Sequence, residues 1–158
     1  MIYVEEITAP AGTSKDNPVT KDVEVTKGLV YKINIVIPSG HAGLTGLWIT
    51  RGNFQVWPVV AGTFFKGDNE HIDFDDMYLV DEPPFVFKLH MFNNDDTYDH
   101  TMIVRLGLVS KEEYMMKFLP SMAYSNYMDE LAKDMEAKKK QAAEQKQALL
   151  ESPFPWLD

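Results

Sequence analysis

The chain has 158 residues, a formal net charge of −9 and no cysteine. This length fits one ordinary domain with an appendage, and the excess of acids argues against nucleic acid and against an anionic membrane as partners, because both attract Lys and Arg. The lack of cysteine excludes a disulfide scaffold, a thiolate metal site and a cysteine nucleophile.

Composition divides the chain near Ser110. All nine glycines and all four histidines precede this residue, and the first 109 residues carry a net charge of −7. The last 49 residues contain no glycine and carry a net charge of −2. We therefore predict a turn-rich domain over residues 1–109, a helical extension over residues 110–151 and an extended tail over residues 152–158.

The start of the chain is acidic, since Glu5 and Glu6 stand where a signal peptide has a basic segment followed by an apolar one. No apolar run reaches the roughly 18 residues that a membrane helix needs. The sequence therefore predicts a protein that is not secreted through a signal peptide.

Alternating apolar and polar residues predict strands in the first 109 residues. In Leu29–Ile37 the odd-numbered residues are apolar, and this period of two is typical of a half-buried strand. Phe85–Met91 and Thr101–Val109 repeat the pattern, and Arg51-Gly52-Asn53 predicts a hairpin. Shorter candidate strands are Ile2–Ile7, Asp22–Thr26, Leu47–Thr50, Phe54–Trp57, His71–Phe74 and Met77–Val80.

The spacing of these strands predicts the fold class. No helical pattern of 10–15 residues lies between them, which argues against parallel βαβ units. About eight short strands separated by turn residues predict a mainly β protein. The expected architecture is an antiparallel two-sheet β-sandwich of jelly-roll type.

The region after Ser110 predicts two helices. Ser110 and Glu113 form a capping-box pattern at the start of a helix over Lys111–Leu119, and Pro120 interrupts it. A second helix over Met122–Leu150 contains neither Gly nor Pro.

The second helix carries a short apolar seam. Tyr124, Met128, Leu131 and Met135 follow a 4-3-4 spacing, which places them on one face, and the next position, Lys138, is polar. We expect this seam to bind a neighbouring subunit, and the alternative is that the helix packs against its own sandwich.

The tail Ser152–Asp158 contains two prolines together with Phe154, Trp156 and Leu157. Proline favours an extended chain, and buried aromatic residues dominate the energetics of interfaces. We expect these three side chains to be an anchor that binds another subunit. The alternatives are a tail that docks on its own molecule and a tail that stays unbound.

Two acidic loops are candidate Ca²⁺ sites. Residues 67–87 hold seven acids and no Lys or Arg, and residues 93–99 offer Asp95, Asp96 and Asp99 as oxygen ligands. The spacing does not match an EF-hand, and Asp and Asn also favour turns, so we favour solvated loops and predict no metal or cofactor.

Enzymatic motifs are absent from the sequence. The four histidines are scattered, and no metalloprotease helix, nucleophile elbow or P-loop pattern occurs. Trp48, Trp57 and Tyr78 could line a sugar groove, but core packing explains them equally. We therefore expect no enzyme, and a hydrolase acting through paired carboxylates is the weakest hypothesis.

Five turn segments carry a family resemblance: Thr8–Thr13, Val25–Gly28, Gly43–Leu47, Phe65–Asp68 and Asn94–Thr101. Their layout over residues 3–109 resembles small β-sandwich structural proteins of the virions of tailed phages and related viruses. The resemblance implies a capsid decoration, cement or accessory role in a particle assembled in the host cytoplasm. It supplies no functional residues.

The sequence therefore favours a non-enzymatic virion structural protein whose partners are other copies of itself or a capsid protein. Its C-terminal helix and tail would hold it to neighbouring subunits. The alternative is a β-sandwich module that binds carbohydrate or another surface ligand, assisted by Ca²⁺ at the loop of residues 93–99.

Overall fold

The computed structural model describes residues 1–118 and 121–151, and it divides the chain into two compact units with the boundary between Lys111 and Glu112. The first unit contains eight strands, and the described part of the second is helical. The elements are β1 (Ile2–Ala9), β2 (Val19–Glu24), β3 (Gly28–Ile37), β4 (Thr45–Arg51), β5 (Phe54–Trp57), β6 (Glu70–Val80), β7 (Val86–Asn93), β8 (His100–Val109), α1 (Lys111–Phe118) and α2 (Ser121–Glu151).

The strands form two four-stranded sheets, with the order β1-β8-β3-β6 in the first sheet and β2-β7-β4-β5 in the second. All the pairings are antiparallel, and Ile2 at the start of β1 lies opposite Gly107 in β8. Successive strands mostly alternate between the sheets, which is the wrapped order of a jelly roll. The predicted mainly β, two-sheet sandwich is confirmed.

The inward-facing residues of both sheets form the core. In β8 the side chains of Met102, Val104, Leu106 and Leu108 are almost fully buried, as their alternation predicts. Each side chain of this size contributes roughly 1.5–3 kcal/mol when it is removed from water. The core therefore lies between the sheets, and loops at the ends of the sandwich carry most of the polar contacts described below.

The strand β3 departs from its predicted alternation. Its register against both β6 and β8 shifts between Val30 and Lys32, which marks an irregularity of the β-bulge type. As a result Val30 enters the core while Tyr31 is only half-buried. The prediction that the odd-numbered residues of this strand share one face was therefore wrong at Tyr31, because a bulge reverses the alternation.

The strand β6 is continuous over eleven residues, whereas the sequence predicted two short strands over the same region. The two predicted strands left out Asp75 and Asp76, and Asp76 is a charged residue at an inward-facing position. Its Oδ2 accepts a hydrogen bond from the indole Nε1 of Trp57 at 2.6 Å, which lets the strand continue through the acidic residues. The strand β2 begins three residues earlier than predicted, at Val19.

The two helices have nearly the predicted bounds. α1 ends at Phe118, and α2 runs for 31 residues from Ser121 to Glu151. The predicted break at Pro120 lies outside the described residues. Within the described parts of the chain, neither helix combines the length and the apolar character that crossing a membrane requires.

Candidate functional site

A buried pair of histidines joins the loops at one end of the sandwich. The rings of His41, which lies before β4, and His100, the first residue of β8, have centroids 4.4 Å apart. Their side chains are 1% and 8% exposed. The Nδ1 of His41 lies 2.7 Å from the Oγ1 of Thr45, and the Nε2 of His100 lies 2.9 Å from the Oδ2 of Asp95. We call these four residues the histidine cluster.

Ionisation within the histidine cluster is set by burial and by hydrogen bonds. Burial lowers the pKa of His41, and the neighbouring His100 lowers it further. The hydrogen bond to His100 lowers the pKa of Asp95, and backbone N–H groups of Thr97 and Tyr98 add to this effect. The cluster therefore favours an ionised Asp95 and a neutral His41.

Asn93 holds the loop that carries Asp95 of the histidine cluster. Its side chain is fully buried, and its Nδ2 donates to the carbonyl oxygens of Ala9 and Tyr98 at 3.1 and 2.8 Å. Its Oδ1 accepts a hydrogen bond from the backbone N–H of Asp95 at 2.9 Å. These bonds fix the loop between β7 and β8, and across the described residues every buried side-chain N or O atom has a partner.

The predicted Ca²⁺ ligands lie in this loop and already accept hydrogen bonds. Asp95 accepts from His100 and from two backbone N–H groups, and Asp99 accepts from the N–H of Ala11 at 2.9 Å. The Oδ1 of Asp96 accepts from the hydroxyl of Thr97. Within residues 1–118 and 121–151, no group of three or more acidic or histidine side chains has the arrangement of a metal site. These carboxylates therefore act as caps of the loop.

A groove lies where the edge strands β5 and β6 border the sandwich. This edge groove has a volume of about 700 Å³. Its lining is mainly apolar and aromatic, and it consists of Phe54, Gln55, Val56, Trp57, Pro58, Val59, Phe65, Phe74, Asp75, Asp76 and Tyr78. Trp57 is buried and packs edge-on against Tyr78, with ring centroids 5.4 Å apart.

A smaller cavity of about 390 Å³ shares Phe54 and Tyr78 with the edge groove. Its wall includes Arg51, whose Nε donates to the carbonyl oxygen of Pro84 at 3.1 Å and whose Nη2 donates to that of Glu82. Arg51 therefore ties the β4–β5 hairpin to the β6–β7 loop and holds one end of the groove in place.

The three aromatic residues that the sequence offered for a sugar groove do not share one surface. Trp57 and Tyr78 line the edge groove, whereas Trp48 stacks on His90, with ring centroids 4.9 Å apart. Of the seven acids in residues 67–87, only Asp75 and Asp76 line the groove. The sequence did not predict the edge groove, because the groove forms between β5 and β6, which belong to different sheets and do not pair with each other.

The predicted helix interface lies on one face of α2. Met128 and Met135 are 39% and 57% exposed, and Tyr124 and Leu131 are partly buried. The predicted anchor residues Phe154, Trp156 and Leu157 lie outside the described residues.

Comparison with models of protein families finds no match to this sequence, and comparison with curated proteins finds none. The turn segments that carry the resemblance to virion proteins lie largely in loops, such as the one that leads from β7 into β8 at His100. That resemblance stays a prediction, and the geometry of the described residues supports the proposals that follow.

Proposed function

We propose that this protein is a non-enzymatic structural subunit of a virion, of the capsid decoration or accessory kind. Its C-terminal helix holds it to neighbouring subunits. The observation that carries the proposal is the exposed apolar seam on α2, which includes Met128 and Met135. The resemblance of the turn segments supplies the virion context.

The seam suits protein association. A helix of 31 residues is about 46 Å long, and its apolar stripe covers roughly three turns before Lys138 ends it. Burial of exposed methionine contributes roughly 25 cal/mol per Å², and methionine adapts to irregular partner surfaces. Because the stripe is short, an isolated coiled coil would be weak. In an assembly, contacts repeated between many copies would reinforce one another.

The sandwich domain supports a structural role. Jelly rolls occur in viral capsid and lectin domains, although the fold by itself does not determine a function. The side chains of the histidine cluster hold loops together, and their polar atoms bond to each other and to the backbone. A net charge of −7 on this domain would keep free copies apart and soluble before assembly.

Light scattering on the full chain tests the role of the seam. We expect a native mass that is a multiple of 18.1 kDa, and we expect Met128→Lys combined with Met135→Lys to reduce it to one chain. The matched control is Asn126→Lys combined with Ala137→Lys, which adds the same charge on the opposite, exposed face of α2. The proposal fails if the native protein is monomeric or if both double variants keep the native mass.

A second experiment tests the virion context. Particles are purified by density gradient from cells in which the gene is expressed together with its genomic neighbours, and their proteins are quantified by mass spectrometry. We expect the chain to be present at a fixed ratio to the most abundant particle protein, and the methionine double variant to be depleted from the particles. Absence of the native chain from the particles would contradict a virion role.

The competing hypothesis is a module that binds carbohydrate or another surface ligand with Ca²⁺ in the loop at residues 93–99. The edge groove favours it through the aromatic rings of Trp57 and Tyr78. Against it, Asp95 and Asp99 already accept backbone hydrogen bonds. Calorimetry with Ca²⁺ and a glycan panel separates the two hypotheses, because only the binding module would release or absorb heat.

A further inference from the structure

The two lateral sides of the sandwich differ. On one side the edge strands β1 and β2 are linked, because the Nζ of Lys21 lies 2.7 Å from the Oε2 of Glu5 and also donates to the carbonyl oxygen of Glu6. On the other side the edge strands β5 and β6 form the walls of the edge groove. The open side therefore offers both unpaired strand edges and an apolar surface.

Three polar side chains that line the edge groove are already engaged. Asp76 accepts from Trp57, and Asp75 lies 3.3 Å from the ammonium group of Lys32. The amide of Gln55 donates to carbonyl oxygens of the loop that follows β5, among them that of Pro58 at 2.7 Å. A sugar would find few free partners here for its hydroxyl groups.

The rim of the groove is apolar and open to solvent. Phe54 and Val59 line the groove and are each 79% exposed, and Val60, the next residue in the chain, is 61% exposed. Large apolar side chains grouped beside a groove mark a surface that binds another apolar group. The groove therefore suits an uncharged, aromatic segment of protein chain.

We propose that the occupant is the segment Pro153–Leu157 of a second copy of this chain. The segment contains no charged residue, and its prolines lack N–H groups and restrict the backbone to extended conformations. If the segment binds in a strand-like extended conformation, Phe154 and Trp156 point to the same side. Grooves lined by aromatic residues commonly bind proline-containing segments of this kind.

The length of the segment fits the groove. The β6 wall runs from Phe74 to Tyr78, which is five residues of extended strand, and Pro153–Leu157 is also five residues, or roughly 16 Å when extended. The inference rests on the proposed function, since association through the α2 seam would raise the effective concentration of the segment of one copy for the sandwich of another.

Cross-linking between full-length chains tests the inference. One preparation carries Val59→Cys at the groove rim, and the other carries Asp158→Cys beside the segment. Because the natural chain has no cysteine, a short bismaleimide joins only the introduced thiols, and mass spectrometry identifies the mixed product. In the control, the first preparation carries Val4→Cys in place of Val59→Cys. Val4 is exposed and lies on β1, the edge strand opposite β6 in the same sheet.

We expect the mixed product to form roughly tenfold faster with Val59→Cys than with Val4→Cys, because docking raises the effective concentration of the two thiols. An excess of a peptide with the sequence of residues 152–158 should suppress formation of the mixed product with Val59→Cys. The same peptide with Phe154→Ala and Trp156→Ala should not suppress it. Equal rates at the two positions would overturn the inference.

Two further outcomes separate this inference from the proposed function. A native multimer without the preferred cross-link at Val59→Cys overturns the inference alone and leaves the role of the α2 seam intact. A monomeric native mass overturns both. If a monomeric chain that carries Val59→Cys and Asp158→Cys cross-links within itself, its own tail is the occupant and the second copy is excluded.

Discussion

The indole of Trp57 donates a hydrogen bond to the Oδ2 of Asp76, at 2.6 Å, and thereby joins β5 of one sheet to β6 of the other. The bond lies at the edge groove, on the side of the sandwich where the edge strands do not pair. It explains how a carboxylate occupies an inward-facing position in β6. Because the acceptor is a carboxylate, the bond is expected to be stronger than one between neutral groups.

We predict that Trp57→Phe lowers the free energy of unfolding by about 1.5–3 kcal/mol, because it removes a donor to a carboxylate. Urea denaturation followed by circular dichroism measures the change. Trp48→Phe is the matched control, since it makes the same substitution at a half-buried tryptophan stacked on His90. Equal losses for the two variants would argue that ring volume, and not the hydrogen bond, stabilises this edge.

Asp95→Asn should destabilise the loop between β7 and β8. The variant weakens the hydrogen bonds that Asp95 accepts from His100, Thr97 and Tyr98, so we expect the urea midpoint of unfolding to fall. Asp96→Asn makes the same change one residue later on an exposed side chain, and we expect a change within about 0.5 kcal/mol. A similar loss in both variants would contradict the role given to Asp95.

The stability of the domain should fall in mildly acidic solution. Burial lowers the pKa of His41 below the value of 6.5 expected in the unfolded chain, so the unfolded state binds more protons between the two values. The contribution is therefore complete above about pH 6.5 and is lost as the pH falls toward the lower, folded-state pKa. His90, whose pKa burial also lowers, adds to the same trend.

Variants separate the contributions to this pH dependence. His41→Asn should reduce the slope of unfolding free energy against pH below 6.5. The remaining slope should reflect His90 and, at lower pH, Asp68 and Asp95, because their pKa values are also lowered in the folded state. His90→Asn should also reduce this slope, and the two reductions should add if the two histidines titrate independently. Urea denaturation at half-unit pH intervals measures the slopes, and an unaltered profile for His41→Asn would refute the assignment.

Gly46→Ala should disrupt the pairing of β4 with β7. A Cβ at Gly46 would overlap Cε1 of Phe92, its register partner, and would lie 3.2 Å from Cβ of Phe64. Phe92 is only 2% exposed and cannot move without displacing its neighbours, so we expect a loss of about 1–3 kcal/mol from overpacking. The double variant with Phe92→Leu should recover part of this loss, and the absence of recovery would point to a different cause.

The strands with regular alternation could be predicted from the sequence, and the irregular ones could not. β8 follows its alternation from Met102 to Leu108, so its core face was predicted correctly. In β3 a bulge moved Val30 inward, and a bulge leaves no signal in hydrophobic periodicity. In β6 an inward carboxylate broke the pattern, because its partner, Trp57, lies 19 residues away in the sequence.

The histidine cluster and the edge groove could not be predicted from the sequence, because the residues that form them lie far apart in the chain. The histidine cluster joins His41 to His100, and Asn93 reaches back to the carbonyl of Ala9. The sequence showed scattered histidines and acidic loops, but the pairing of β1 with β8 is what brings these segments together. The edge groove likewise exists because β5 and β6 are the last strands of two different sheets. The four residues of the α2 seam lie within one helix, so local periodicity was enough to place them on one face. Their role in binding a neighbouring subunit stays a prediction.

The pairing of β1 with β8 has a consequence for the time course of synthesis. The strand β1 cannot complete its pairing until β8, more than ninety residues later in the chain, has also left the ribosome. Such non-local pairing makes folding slow relative to helical proteins of the same size, and no N-terminal fragment can form the full sandwich. Because α2 is translated after β8, the apolar seam is exposed only when every strand of the sandwich has been made. Because α2 follows β8 in the chain, copies cannot associate through the α2 seam until all eight strands of the sandwich domain have been made.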